Sequence, residues 1–221
     1  MDNARFSASD LTCLRGQRLV FAGLAFALSA GEALVLVGPN GSGKSSLLRL
    51  LALLLRPLRG ELRWNGEPVA DDPDSHRMRL RYVGHLDGVK AMLTCQESLA
   101  FWAALDGAPE PGRRATAALE RLGLERLAAV PGRYLSAGQK RRLTLARLLL
   151  RPAPLWLLDE PTNGLDVAAI ARLEAALAGH RAAGGMVIAS THTPLALPGA
   201  ATLHLDDFTP DLHDHQHGES A

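Results

Sequence analysis

A short glycine-rich stretch carries the residue types and the spacing of a phosphate-binding loop. It follows the pattern G-x-x-x-x-G-K-[ST] and consists of Gly38, Pro39, Asn40, Gly41, Ser42, Gly43, Lys44, Ser45 and Ser46. In such a loop, backbone N–H groups turn toward phosphate oxygens, and the following helix adds the partial positive charge of its N-terminus. Lys44 is placed to reach the β- and γ-phosphates of a nucleotide, and the Ser45 hydroxyl to ligate Mg²⁺.

Two neighbouring acids, Asp159 and Glu160, form the second candidate group. They end the apolar run 155–158, a predicted strand, and ligands bind at this edge of open α/β sheets. Asp159 can help to hold Mg²⁺ without being one of its direct ligands. Glu160 can orient the attacking water and take up its proton. An acidic pair at a strand end can also be a helix N-cap, and for the pair alone this alternative stays open. Together with the loop, the pair predicts a complete site for Mg²⁺ and ATP.

The elements that must position these residues alternate between strands and helices. The loop follows the apolar run 33–37, a predicted strand, and opens onto the helix-forming residues 47–52. Upstream, apolar groups broken by glycines between Leu11 and Leu28 predict antiparallel strands. Downstream, residues 61–66 alternate like an exposed strand, residues 71–79 are predicted to be a polar loop, and residues 81–85 a strand that ends at a glycine.

Between His85 and Arg151 the pattern changes to helices over 93–105, 113–122 and 137–150. Strands resume at 155–158, 186–190 and 202–205, with a helix over 167–183. We therefore predict an α/β P-loop NTPase with a mostly parallel sheet, an N-terminal antiparallel β part and an inserted α-helical subdomain. In this single domain, residues 1–84 and 152–207 form the nucleotide-binding core, residues 85–151 the helical subdomain and residues 208–221 a flexible tail.

The composition is that of an ordinary globular protein, with 47% hydrophobic and 21% charged residues among 221. The formal net charge of +1 conceals an acidic end, because residues 204–221 hold five acids and no Lys or Arg. The mildly basic remainder is too weakly charged to predict nucleic-acid binding. In the same end, His213, His215 and His217 could bind a metal ion weakly, but a solvated terminus is the preferred interpretation.

Several features predict a cytoplasmic protein that reaches a membrane only through partners. Cys13 and Cys95 match no metal or redox spacing and are expected to be free thiols in a reducing compartment. No signal-peptide pattern is seen at residues 1–9. The most apolar stretch, 47–55, has nine residues and contains Arg49, which is too short for a membrane span.

A further motif, Leu135, Ser136, Ala137, Gly138 and Gln139, stands about twenty residues before the acidic pair. Ser136 and the following N–H groups begin a predicted helix, whose dipole attracts anions. Lys140, Arg141 and Arg142 are interpreted individually as a solvated basic face. The motif resembles the Leu-Ser-Gly-Gly-Gln signature of the ATP-binding-cassette (ABC) ATPases, from which it differs at Ala137. The remaining motifs of that family follow in order at 164–166 and at His192.

This resemblance, which extends from Leu11 to Leu205, implies ATP and Mg²⁺ as ligands and ATP hydrolysis as the activity. In the family, two copies close around two ATP molecules, so Ser136 to Gln139 of one copy meet the γ-phosphate bound by the other. Carried onto this sequence, Glu160 is catalytic, Asp166 lies in the nucleotide site and His192 contacts the γ-phosphate. A lone histidine is otherwise more often a core or capping residue.

Two positions depart from the family pattern. His85 stands where a glutamine usually contacts Mg²⁺ and water, and we assign it to the nucleotide site with its metal contact left open. The aromatic residue that usually stacks on adenine is expected near Arg15. The Arg15 guanidinium can stack on the base instead, and Phe21 is the other candidate.

His85 and the segments 86–90, 93–94 and 97–102 resemble the branch formed by the ATPase subunits of bacterial haem exporters of cytochrome c maturation. This implies docking on inner-membrane transporter subunits at the cytoplasmic face of the inner membrane, and ATP-driven release of a haem-loaded chaperone. The apolar residues Leu93, Leu99, Phe101 and Trp102 either receive a membrane subunit's helix or, for most of them, pack in the core. The alternative function is the ATPase subunit of a lipid, lipoprotein or drug exporter.

Overall fold

The computed structural model describes residues 5–193 and 195–209. In chain order its strands and helices are β1 (Arg5–Arg15), β2 (Arg18–Ser29), β3 (Ala33–Val37), α1 (Lys44–Leu51), β4 (Arg59–Trp64), β5 (Glu67–Pro68), α2 (Pro73–Arg79), β6 (Leu80–Val83), α3 (Cys95–Leu105), α4 (Pro111–Arg121), α5 (Ala137–Ala146), β7 (Leu155–Asp159), α6 (Val167–Ala182), β8 (Met186–Ser190) and β9 (Ala201–His204). Three strands come first, three successive α-helices lie between β6 and β7, and helices and strands are interspersed in the rest of the described range.

Two sheets organise the molecule. The first is antiparallel in the order β2-β1-β4-β5, and the second is parallel in the order β6-β7-β8-β3-β9. In the parallel sheet the carboxyl ends of β3, β6 and β7 lie at one edge, which brings the segments that follow them together. The predicted α/β fold, with a parallel sheet, an antiparallel β part and helices, is confirmed.

The parallel sheet separates two apolar cores. Every residue of β7 and β8 is buried, as expected for strands covered on both faces. Because side chains alternate across a strand, Leu157 and Ile188 pack into one core while Leu158 and Ala189 pack into the other. The first core includes α1 and the antiparallel sheet, and the second includes α3, α4, α5 and α6.

Helix α1 is anchored by four leucines that are completely buried: Leu47, Leu48, Leu50 and Leu51. Full burial of each leucine is worth roughly 1.5–3 kcal/mol. These leucines hold α1 in the first core, against the parallel sheet. The C-terminal end of the glycine-rich loop, where α1 begins, is therefore fixed.

Helices α3, α4 and α5 lie in the chain between β6 and β7. Two of them start with reciprocal caps: Thr94 pairs with Glu97 at α3, and Ser136 pairs with Gln139 at α5. Such a capping box satisfies two backbone donors at the helix start. The start of α5, where the signature-like motif lies, is therefore defined by the motif's own residues.

Two local predictions were wrong. Residues 71–79 were predicted to be a polar loop, but Pro73–Arg79 form helix α2 after a short 3₁₀ turn at Val69–Asp71, with Asp72 as the N-cap. The ring of His76 in this helix is buried and lies 2.9 Å from the Leu51 carbonyl, and this apolar setting is not visible in the polar sequence. Strand β4 was predicted to be exposed, but it lies between β1 and β5 and buries Leu62 and Trp64.

The apolar residues considered as a docking surface divide between core and surface. Leu99 is fully buried, whereas Phe101 is exposed and Trp102 is half-buried beneath the Arg147 guanidinium. Among the helices that the structure describes, none has the length and apolar character needed to cross a bilayer. The histidines at 213, 215 and 217, with most of the predicted tail, lie outside the described residues.

Candidate functional site

The glycine-rich loop connects β3 to α1 at the carboxyl edge of the parallel sheet. Gly43 adopts a φ of 105°, and a Cβ atom there would lie 2.5 Å from Val20 Cγ1. Both the backbone conformation and the close approach of β2 therefore require glycine at this position. Lys44 is buried, and its Nζ donates to the carbonyls of Gly38 at 2.6 Å and Pro39 at 3.0 Å. Its ammonium group thus lies across the loop that phosphates would occupy.

Asp159 lies at the end of β7 and is buried next to the loop. Its Oδ1 accepts hydrogen bonds from Ser45 Oγ at 3.0 Å and Ser190 Oγ at 2.8 Å. Its Oδ2 is buried and has no hydrogen-bond partner among the described residues. A buried carboxylate oxygen without a partner is costly unless a cation or a donor reaches it.

These oxygens fit a hard divalent cation such as Mg²⁺. A serine hydroxyl and a carboxylate are the oxygen ligands that Mg²⁺ uses together with substrate phosphates and water. Within residues 5–193 and 195–209, no group of three or more His, Cys, Asp or Glu side chains could hold a metal by itself. The donor set therefore suits a metal ion that arrives with a nucleotide better than one held by protein ligands alone.

Glu160 follows Asp159 and has an unusual backbone. Its φ is 48°, in the left-handed region that non-glycine residues rarely adopt. Its N–H donates to Ser190 O and Ser190 Oγ, both at 3.1 Å. Its carboxylate accepts a hydrogen bond from the His192 N–H at 3.1 Å, and His192 Nε2 lies 3.4 Å from the other carboxylate oxygen. The ends of β7 and β8 thus bring the two predicted catalytic residues, Glu160 and His192, together.

One cavity of about 550 Å³ brings together half of the predicted site residues. This volume is in the range of small-molecule sites. Its lining combines residues of the loop, of the strand ends and of β1 and β2: Arg15, Arg18, Val20, Asn40, Gly41, Gly43, Lys44, Ser45, Ser46, His85, Glu160, Asn163 and His192. His85, the residue that departs from the family pattern, therefore faces the same space as Lys44 and Glu160.

The two candidates for stacking on adenine are clearly separated by the structure. Arg15 is exposed and lines the cavity. Phe21 is completely buried in the first core, where Gly43 packs against its ring. Phe21 is therefore a core residue and has no surface to offer a base.

The signature-like residues line a second, separate cavity of about 340 Å³. Its lining is Ser136, Gly138, Gln139, Arg142, Gly164, Leu165 and Asp166. None of these residues lines the cavity at the glycine-rich loop. The predicted site residues therefore fall into two groups within one chain.

The second cavity is built on a close backbone contact. A Cβ atom on Gly138 would lie 2.6 Å from the Gly164 carbonyl oxygen, so only glycine fits there without movement. Asp166 caps the next helix, α6, by accepting a hydrogen bond from the Ala169 N–H at 2.7 Å. Ala137 is exposed, in contrast to its glycine neighbour.

Arg141 was wrongly interpreted as part of a solvated basic face. Its side chain is 5% exposed, and it donates to the carbonyls of Gly84, Asp159 and Glu160. Helical spacing carried a signal, because Arg141, Leu145 and Leu148 follow the i, i+4, i+7 pattern of a buried face. Ser190, which holds Asp159 and Glu160, was also missed; only its place at a strand end could have indicated it.

Residues 21–163 match the family described as ABC transporter. The chain belongs to the ABC transporter family. A protein of Paramagnetospirillum magneticum called cytochrome c biogenesis ATP-binding export protein CcmA is 61% identical over 94% of this chain and 97% of its own length. A protein of the same name from Rhodospirillum rubrum is 60% identical over 94% of this chain and 88% of its own. The corresponding protein of Salmonella typhi is 48% identical over 88% and 91%.

Solved structures agree with this ABC ATPase assignment. An ATP-binding subunit of an ABC transporter superposes with a TM-score of 0.77 at 30% identity, covering 85% of this chain and 79% of the other. A putative ABC transporter ATP-binding protein from Pyrococcus furiosus, at 24% identity, shares the fold with a TM-score of 0.81 over 93% of this chain and all of its own. The predictions of an ABC ATPase and of a relationship to the ATPases of cytochrome c maturation are confirmed.

Proposed function

We propose that this ABC ATPase hydrolyses ATP to drive haem export in cytochrome c maturation. The observation that carries the hydrolytic part is the single cavity in which the glycine-rich loop, Glu160 and His192 meet beside Asp159. The export part is supported by relatives at 60–61% identity that are called cytochrome c biogenesis ATP-binding export protein CcmA. Haem is the group that c-type cytochromes carry on a C-x-x-C-H motif, which makes it the fitting cargo.

The loop would bind the triphosphate. Its backbone N–H groups and the start of α1 supply partial positive charge, and Lys44 supplies a full one. The Lys44 ammonium would exchange its contacts with the carbonyls of Gly38 and Pro39 for phosphate oxygens. Ion pairing with phosphate is stronger than a hydrogen bond to a neutral carbonyl, so this exchange favours binding.

Ser45 and Asp159 would hold Mg²⁺ at the β- and γ-phosphates. When bound, the ion neutralises charge on the phosphate oxygens during transfer. Asp159 is kept in place by Ser190, whose hydroxyl donates to its Oδ1. The buried Oδ2, which has no hydrogen-bond partner among the described residues, would be available to hold the ion or a water bound to it.

Glu160 would orient the attacking water and accept its proton. Its carboxylate is fixed from one side by the His192 N–H, and its backbone is fixed by Ser190. His192 would also contact the γ-phosphate from the cavity that both residues line. Hydrolysis then needs no covalent intermediate, because the positioned water attacks phosphorus directly.

A second copy of the chain would complete each site. The residues Ser136 to Gln139 and Asp166 line a cavity apart from the loop, with a helix start that favours anions. In a pair of chains related by a two-fold axis, each loop can face the partner's signature. ATP would then make more contacts in the closed pair than in separate chains, which shifts the equilibrium toward closure.

The pair would work at the cytoplasmic face of the bacterial inner membrane. It would dock on the inner-membrane transporter subunits of the cytochrome c maturation complex and release a haem-loaded chaperone. Leu86, Met92 and Phe101 are exposed apolar residues that follow His85 in the chain. They would form the surface through which a membrane subunit contacts the region of the nucleotide site. Membrane attachment would come through these subunits, and no nucleic acid would take part.

The variant Glu160→Gln tests the hydrolytic assignment. It should bind ATP normally but release phosphate more slowly by on the order of 10²–10⁴-fold, the usual contribution of a general base. Glu174→Gln is the matched control, because Glu174 accepts a hydrogen bond from the Ala196 N–H outside the cavity. Unchanged phosphate release in Glu160→Gln would refute the role of Glu160.

The transport assignment is tested by purifying the chain with its membrane partners. Haem-handling membrane proteins should accompany the wild-type chain, and the absence of active ATPase should block maturation of c-type cytochromes in cells. Partners that handle lipids, lipoproteins or drugs would show that the chain serves another exporter.

A further inference from the structure

Among the residues that the structure describes near the site, two cations are buried: Arg141, which is 5% exposed, and Lys44, which is 6% exposed. Arg141 projects from the second turn of α5 and reaches three main-chain carbonyls. Its Nη1 donates to Gly84 O at 2.7 Å, and its Nη2 donates to Asp159 O at 2.7 Å and Glu160 O at 2.8 Å. A planar guanidinium can make such a set of bonds at once, and a lysine ammonium on its flexible stem cannot reproduce that geometry.

These three carbonyls belong to two strand ends that serve catalysis. Gly84 follows β6 and immediately precedes His85, which lines the nucleotide cavity. Asp159 ends β7, and Glu160 follows it directly. The segment after His85 is also held by α5, because Thr144 Oγ1 donates to the Asp87 carbonyl at 2.6 Å and the Asp87 carboxylate lies 3.5 Å from Arg141.

The contact to Glu160 has a specific consequence. Glu160 has a φ of 48°, which is uncommon for a residue with a side chain and persists only when surrounding contacts hold it. Ser190 holds the N–H side of this residue. The carbonyl side accepts hydrogen bonds from Arg141 Nη2 at 2.8 Å and from the Asn163 N–H at 3.3 Å. Removing Arg141 therefore removes the shorter of the two hydrogen bonds on the carbonyl side of the backbone that aims the Glu160 carboxylate.

We propose that Arg141 is a positioning residue for ATP hydrolysis, which ties the signature helix of each chain to the Glu160 of that same chain. This inference rests on the proposed function and deepens it. Helix α5 starts at Ser136, in the cavity assigned to the partner's nucleotide, and Arg141 lies about one turn further along. ATP bound by one chain would contact the start of α5 in the partner chain. Through Arg141, this contact would act on Glu160 of that partner chain, at the partner's own nucleotide site.

The test compares Arg141→Lys and Arg141→Ala with wild type, in the chain assembled with its membrane partners. Both variants should lose kcat by on the order of 10²-fold, the cost of misplacing a catalytic group by about an ångström. The dissociation constant for ATP should stay unchanged, because the hydrogen bonds of Lys44 and Ser45 go to Gly38, Pro39 and Asp159 Oδ1 rather than to Arg141. Cooperativity between the two ATP sites should also be reduced.

Chemical rescue separates positioning from mere stability. Methylguanidinium should restore kcat to Arg141→Ala, and methylammonium at equal ionic strength should not. Arg114→Ala is the matched control, since Arg114 also donates to two carbonyls, Pro109 O at 3.0 Å and Leu150 O at 3.2 Å, outside the cavity lining. It should keep the wild-type kcat.

The outcomes distinguish this inference from the proposed function. Wild-type kcat in both Arg141 variants would overturn the inference and leave the ATPase assignment intact. Equal loss of ATP binding and kcat without rescue would reduce Arg141 to a structural residue and also overturn it. A wild-type complex without ATPase activity would overturn the proposed function itself.

Discussion

Replacing Gly138 with alanine should disable the enzyme although it adds a single methyl group. The new Cβ would lie 2.6 Å from the Gly164 carbonyl oxygen, about 0.8 Å inside ordinary van der Waals contact. Both partners are main chain, so no side chain can rotate away. Either the start of α5 or the loop at Gly164 must move.

The cost can be bounded from known overpacking effects. Inserting one methyl group into a tight backbone contact costs about 1–3 kcal/mol of folding free energy. The functional loss should be larger than this suggests, because α5 carries Arg141 and the Gly164 loop continues from Glu160. A displacement of about an ångström at such groups costs on the order of 10²-fold in rate.

Ala137→Gly is the control, since Ala137 is exposed and its change should cost at most about 1 kcal/mol through helix propensity. Urea denaturation would give the stability of each variant, and phosphate release its rate. ATP-dependent dimerisation, measured in the Glu160→Gln background, should be weakened by Gly138→Ala. Wild-type stability and rate in Gly138→Ala would contradict the backbone clash at Gly164, and so would an equal loss of activity in Ala137→Gly.

Two further predictions concern stacking on the adenine base and the pH dependence of stability. Arg15→Ala should weaken ATP binding by roughly 2–5-fold in titration calorimetry, as expected for the loss of an exposed cation that stacks on the base. Phe21→Ala should instead lower the free energy of unfolding by about 3–5 kcal/mol. Wild-type stability of Phe21→Ala would contradict its role in the core. His180 stacks on Trp156 at 3.9 Å, and burial lowers its pKa to about 4. The unfolded chain therefore binds this proton more tightly, so stability should fall by at most about 3 kcal/mol as the pH drops from about 6.5 to about 4. His180→Phe keeps the stack and should flatten this dependence in denaturation at several pH values, and an unchanged slope would contradict it.

The parts of the fold that depend on local order along the chain were predictable. The loop between an apolar strand and a helix, the acidic pair at a strand end and the capped start of α5 each depend on residues close in sequence. The apolar runs of β7 and β8 likewise predict strands covered on both faces.

The parts that depend on distant contacts were not predictable. In the sequence, Arg141 is one of three adjacent basic residues. Its burial depends on hydrogen bonds to the carbonyls of Gly84, Asp159 and Glu160, which are distant in the chain. Helix α2 was missed for a similar reason: its sequence is polar, and its one buried anchor, His76, packs on the distant Leu51 carbonyl and Phe6 ring.

Contacts also explain which motif positions tolerate change. Ala137 replaces a glycine of the signature at an exposed site where a methyl group is accommodated, whereas Gly138 stays glycine against a carbonyl 2.6 Å from its missing Cβ. His85 replaces the usual glutamine at an exposed position of the cavity lining, while the carbonyl just before it, at Gly84, is held by Arg141. The side chain at 85 can therefore vary as long as the backbone that presents it is fixed. In this site, main-chain contacts fix the geometry that the proposed hydrolysis needs, and these contacts determine which side chain each motif position accommodates.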